Sequence, residues 1–268
     1  MFLCFFTFVF IMNEFSNKLI DFFNFLRENY GETIIVDTNY TQNFGSQSFA
    51  EPQDSLENYS ATLSHSIDIF SSENNWFHSK SLDELEQKIK HCTKCSLGKT
   101  RTNFVFGSGN PNADIMFIGE APGADEDLQG LPFVGRAGQL LNKLLKVVGL
   151  EREEVYICNI LKCRPPNNRK PLPSEIELCK PYLLKQIELV KPKVIVALGA
   201  TAIEGLLNLK KKMGELRGKI IHFNKIPVII TYHPAALLRN PNWEADFIED
   251  LKLLFKHFPE LTKKKGKK

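Results

Sequence analysis

Four short apolar runs rich in β-branched residues restrict the fold of this chain more than any other feature: 113–119, 155–160, 194–198 and 227–231. Segments with apolar residues at helical spacing separate and follow them, at about 136–149, 174–190, 200–208 and 243–258. Runs this brief suit strands better than helices, and nearly continuous apolar residues mean that both faces are covered. Strands alternating with helices predict a mostly parallel sheet with helices on either side, an α/β fold. Ser81-Leu82-Asp83-Glu84 is a capping box, so a further helix opens there and runs towards His91. In sheets of this kind ligands bind beyond the carboxyl ends of the strands. The residues to watch are therefore Gly119-Glu120-Ala121-Pro122-Gly123, Asn159 with Lys162-Cys163-Arg164-Pro165-Pro166, Gly199-Ala200-Thr201, and His233-Pro234. A titratable or amide side chain stands at three of these four exits.

Outside this region the chain changes character. Residues 1–80 hold three Lys/Arg against ten Asp/Glu, so the overall charge of +3 divides into −7 there and +10 over 81–268. The first twelve residues are almost wholly apolar, but no cation precedes them and no small-residue cleavage site follows. They are also shorter than the roughly 20 apolar residues that a membrane span needs. They are read as an extended start, with Met12 as an alternative initiator; neither membrane association nor export is expected, and the location expected is cytoplasmic. Phe15, Leu19, Phe22, Phe23 and Leu26 then form an apolar stripe at helical spacing. Residues 1–36 are thus read as an apolar start with an amphipathic helix, and 37–80 as a flexible acidic linker. Residues 81–260 form the folded domain, and 261–268 a solvated Lys-rich tail with at most a non-specific attraction to phosphates.

Cys92-Thr93-Lys94-Cys95 is a CxxC pair, with Cys163 and Cys179 far downstream. Disulfides are not expected in a chain that shows no convincing export signal and no small secreted scaffold. Four thiolates suit either Zn²⁺ or an iron–sulfur cluster, and ligand count does not choose between them. The plain alternative is that Cys163 and Cys179 are buried small hydrophobes; Cys158, on a strand, is read as core.

The run from Gly119 to Asp127, followed by Gly130-Leu131-Pro132-Phe133-Val134-Gly135-Arg136-Ala137-Gly138, resembles the first motif of the family 4 uracil-DNA glycosylases. His233-Pro234-Ala235-Ala236-Leu237-Leu238-Arg239 resembles their second, and the spacing of the four Cys resembles that of the family's [4Fe–4S] ligands. The likeness covers about 82–258. It implies a three-layer α/β/α sandwich around a central four-stranded parallel sheet, here with a helical or disordered N-terminal extension. It implies an enzyme that flips deoxyuridine out of DNA and hydrolyses its N-glycosidic bond, acting as a monomer on uracil-containing DNA, and it selects iron–sulfur over zinc at Cys92, Cys95, Cys163 and Cys179.

Roles follow from what that reaction needs. A departing uracil carries negative charge on its oxygens, and His233 is the candidate to stabilise it at O2. Asn159 offers an amide that pairs with uracil O4 and N3–H but mismatches cytosine. Phe133 matches the family's stacking position, and the Ala121–Pro122 backbone is a candidate wall against the thymine methyl group. Among four neighbouring acids, the family pattern points to Glu120 and Glu126 for the sugar cation or the attacking water. Leu237 is the candidate wedge for the hole left by the flipped base. Arg164, Arg169, Lys170 and Arg239 are candidates for phosphate contacts. Two other readings stay open: a glycosylase for other deaminated bases such as hypoxanthine, and a non-catalytic metal-cluster protein that binds nucleic acid. Residues 1–80 suit recruitment of a repair or replication partner.

Overall fold

The computed structural model describes residues 72–261. The expected N-terminal helix, most of the acidic linker and the Lys-rich tail fall outside these residues. The end of that linker is not loose: Ser72–His78 forms a 3-10 helix. Trp76 in it is buried, with its ring edge-on to Tyr182 at 4.8 Å. Two adjacent aromatics, Trp76 and Phe77, give this short piece enough apolar surface to leave water. Packed residues thus lie ahead of residue 81.

Helix α1 spans Leu82–Ile89, with Ser81 Oγ accepting the Glu84 N–H at 3.1 Å as its cap. It buries Leu82, Leu85 and Ile89, the one apolar face its spacing offers. A single turn, α2 (Leu97–Thr100), and a two-residue strand, β1 (Ser108–Gly109), lead into β2 (Ile115–Gly119). After it come α3 (Ala124–Gln129), α4 (Arg136–Val147), β3 (Tyr156–Asn159) and α5 (Pro173–Val190). Strand β4 (Val194–Leu198), α6 (Ala200–Leu207), α7 (Met213–Leu216), β5 (Ile220–Phe223) and β6 (Ile226–Thr231) follow. The last two helices are α8 (Pro234–Leu237) and α9 (Glu244–His257).

The sheet order is β1-β3-β2-β4-β6-β5. Its four central strands are the four expected ones, all parallel. The edges differ from expectation, because β1 pairs antiparallel with β3, and β5 pairs antiparallel with β6. The sheet is therefore six-stranded and mixed. The β5–β6 hairpin turns through Asn224 and Lys225, both at positive φ, which is how a two-residue turn matches the twist of its strands. Phe117, Leu141, Leu145, Val196, Ile229, Phe247 and Leu251 share one core, with no exposed surface. Each contributes roughly 1.5–3 kcal/mol by leaving water. The chain runs from β2 outward to β3, then back across β2 to β4. The crossover connections diverge between β2 and β4, which leaves a crevice beyond their carboxyl ends. Among the described residues no helix is long and apolar enough to cross a membrane.

Candidate functional site

That crevice is a cavity of about 490 Å³. Its walls include Glu120, Ala121, Pro122, Glu126, Phe133, Asn159, Arg169, His233 and Arg239. Residues from the exits of β2, β3 and β6 thus converge on one space.

Asn159 ends β3 with only 2% of its surface exposed, and its Oδ1 has no hydrogen-bond partner. A buried, unpaired carbonyl oxygen is costly, so its retention points to a ligand donor. Gly119 makes room for it. A Cβ there would lie 2.4 Å from Asn159 Oδ1 and 2.6 Å from the Phe133 ring, so only glycine lets both approach the β2 exit. The Phe133 ring lies 5.5 Å from that of His233, tilted by 32°.

His233 precedes α8 and accepts the Ala235 N–H at Nδ1, 3.2 Å away. Burial, with a smaller contribution from the Arg239 charge, lowers its pKa to about 4. The imidazole is therefore neutral near pH 7, and with Nδ1 accepting, the proton sits on Nε2 as a donor.

The four acids of the first motif separate by environment. Glu120 lines the cavity, half-exposed, and its carboxylate makes no hydrogen bond or ion pair among the described residues. Glu126 departs from its expected part. It reaches the wall, but Oε1 accepts the Val134 and Gly135 N–H groups, both at 2.9 Å, and Oε2 accepts that of Gly123 at 3.0 Å. Such a carboxylate shapes the loop, because its oxygens are already engaged. Asp127 is buried and accepts the Thr102 N–H at 2.9 Å, while Asp125 is exposed.

Four further candidates, Leu237, Arg169, Lys170 and Arg164, have partners or surroundings of their own in the free protein. Leu237, the expected wedge, is fully buried in the core; the exposed apolar residue beside it is Leu238. Arg169 forms a two-pronged pair with Glu175, at 2.6 and 2.9 Å, and holds that carboxyl below its usual range. Lys170 pairs with Glu204 at 3.1 Å. Arg164 lies outside the cavity and donates to Asn168 Oδ1 at 2.7 Å. Arg239 is exposed at the rim, and its guanidinium makes no hydrogen bond or ion pair among the described residues.

Cys92, Cys95, Cys163 and Cys179 are free thiols, Cys163 and Cys179 buried. Cys163 is within electrostatic reach of Cys92 and Cys95, and Cys179 within reach of Cys163 and Cys92. Arg101 Nη1 donates to Cys163 Sγ at 3.2 Å, and Tyr182 Oη donates to Cys92 Sγ at 3.3 Å. Burial pushes the Cys179 thiol up to about 12, so a metal must displace its proton to bind. Among the described residues no three Cys, His, Asp or Glu side chains converge on a single-ion site. Cys158 is fully buried in β3, as expected. Lys162 is also fully buried, and its ammonium donates to the Asn159 carbonyl at 2.7 Å, tying the cysteine loop to the β3 exit.

Arg101 does not stand out in the sequence, because its partners come from other segments, the Cys163 thiol among them. The same holds for Arg152, whose flanking acids make it read as a surface charge.

The family model of the uracil DNA glycosylase superfamily matches residues 106–252. A type-4 uracil-DNA glycosylase of Archaeoglobus fulgidus is 47% identical over 194 residues, which cover 69% of this chain and 96% of that protein. Type-4 enzymes of Saccharolobus solfataricus and Thermotoga maritima are each 50% identical, over 169 and 161 residues. These alignments cover 60% and 59% of this chain, and 78% and 84% of those proteins. By the span of this match and its identity to these relatives, the chain belongs to the uracil DNA glycosylase superfamily.

Proposed function

We propose that this protein hydrolyses the N-glycosidic bond of deoxyuridine in DNA, releasing uracil and leaving an abasic site. The observation that carries the reading is the unpaired, buried Asn159 Oδ1, which shares one cavity with the Phe133 ring and a neutral His233.

The reaction needs the base out of the stack. Flipped into the cavity, uracil lies against Phe133. Its N3–H fills the vacant Asn159 acceptor, and its O4 receives the amide N–H. Cytosine presents an acceptor at N3 and a donor at N4, so both bonds fail. The Ala121–Pro122 wall crowds the position where thymine carries its methyl group.

As the bond to the sugar breaks, charge grows on uracil O2. His233 meets it with the Nε2 proton, in an orientation set by the Ala235 N–H, so the donor needs no reorganisation. Glu120, the cavity carboxylate with free oxygens, faces the cationic sugar and orients water. Glu126 acts through the backbone it holds. Arg239 contacts phosphate at the rim, and Leu238 is the apolar side chain available to fill the vacated stack.

Cys92, Cys95, Cys163 and Cys179 would hold a [4Fe–4S] cluster. Four thiols linked by electrostatic reach, two of them buried, are the donor set that such a cluster takes. Bound there, the cluster supplies cross-links between distant segments, fixing the loop that leads from Asn159 to Cys163.

The test incubates purified protein with an oligonucleotide containing one uracil, followed by alkaline cleavage at abasic sites. Strand cleavage at the uracil position is expected. No cleavage by protein that retains its iron would overturn the reading. A hypoxanthine oligonucleotide run alongside is expected to remain intact.

A further inference from the structure

We propose that Arg152 is a positioning residue of the cavity, whose guanidinium holds the Phe133 backbone in the conformation that turns its ring towards the substrate. This rests on the reading of Phe133 as the face on which uracil stacks.

Phe133 has φ of 53°. A bulky residue keeps such a conformation only where its surroundings impose it. Arg152 supplies that constraint. Its Nη1 donates to the Phe133 carbonyl and to Asn142 Oδ1 of α4, each at 3.0 Å. Its Nη2 donates to the Pro132 carbonyl at 2.5 Å and to Ser108 Oγ of β1 at 3.2 Å. One planar fork thus joins an edge strand, a helix and the two peptides around Phe133, a geometry an ammonium does not reproduce.

The same carbonyl is also packed against. A Cβ on Gly138 would lie 1.9 Å from the Phe133 carbonyl oxygen, so α4 packs directly against it. The next two amides, Val134 and Gly135, are those that Glu126 accepts. Arg152 therefore fixes the carbonyl of Phe133, and Glu126 fixes the chain just beyond. None of the four acceptors is a carboxylate, so the guanidinium is engaged in orienting this loop rather than in an ion pair. Arg152 does not line the cavity and acts only through Phe133.

The test compares Arg152→Lys and Arg152→Met with Phe133→Leu and the Arg152→Lys/Phe133→Leu double variant. The first readout is amide hydrogen exchange at Val134 and Gly135, which does not depend on activity. The second is kcat/KM on a uracil oligonucleotide, with DNA affinity measured against salt. Arg152→Lys is expected to speed exchange at those two amides and to lower kcat/KM about tenfold, as the loss of a charge-assisted hydrogen bond does. The salt dependence of binding should not change, and the double variant should be no slower than Phe133→Leu alone. Arg152→Met should do the same or more; if it does not fold, the lysine variant carries the result. Unchanged exchange in Arg152→Lys, or losses in the double variant equal to the product of the single losses, overturns the proposal. If wild-type protein releases no uracil, the functional reading falls, while the exchange result still decides whether Arg152 holds the loop.

Discussion

His233 accepts the Ala235 N–H at Nδ1, 3.2 Å away, so the neutral imidazole carries its proton on Nε2. Burial lowers its pKa to about 4. The group is therefore neutral from about pH 5 upward, and it gains a proton only as pH falls through 4. Nitrogen NMR of the imidazole should show the Nε2–H tautomer unchanged from pH 8 to pH 5.5. A titration midpoint near 6.5 would refute this assignment. His233→Ala should slow single-turnover excision by roughly 10²–10³-fold, the usual loss for one preorganised donor, with little change in DNA affinity.

Asn159 should show a conflict between stability and function. Its Oδ1 has no partner in the free protein, so Asn159→Leu replaces an unpaired buried polar atom with an apolar one of similar size. The melting temperature should stay the same or rise. Two lost hydrogen bonds to uracil, at about 1 kcal/mol each, should lower kcat/KM roughly 30-fold. A large fall in melting temperature would mean that the side chain has a structural partner.

Glu120 and Glu126 should respond differently to the same change. Glu126→Gln weakens bonds to three backbone amides and should lower both stability, by about 1–3 kcal/mol, and activity. Glu120→Gln should leave the melting temperature unaltered and slow only the chemical step. Thermal unfolding and single-turnover kinetics on both variants separate the two roles.

Protein purified without oxygen should contain about four iron atoms and four acid-labile sulfides per chain, as one [4Fe–4S] cluster requires. Cys163→Ala should lose most of both and lower the melting temperature, because its loop is then no longer cross-linked. Stoichiometric zinc in place of iron would refute the assignment.

The helix and strand pattern was legible because the core is continuous. The strands that carry Phe117, Val196 and Ile229 are apolar at nearly every position, and that pattern is written locally. The short edges were not: β1 has two residues, and the β5–β6 turn uses Asn224 and Lys225 where a glycine would have announced it. Trp76 was missed for a similar reason, since the polar residues around Trp76 and Phe77 hide a short aromatic anchor.

The sequence by itself determined the alternating α/β architecture, the strand exits where Asn159 and His233 stand, and a set of four cysteines that suits a metal or an iron–sulfur cluster. Only the tertiary structure decided what each charged or apolar side chain does there. Glu120, Asp125, Glu126 and Asp127 are four similar acids in sequence. In space one faces the cavity, one faces solvent, and two are bound to backbone amides. Leu237 and Leu238 are adjacent in the chain, yet one lies in the core and the other in water. Hydrophobic periodicity is a local property of the chain, but which hydrogen-bond partner a carboxylate meets depends on segments brought together by folding.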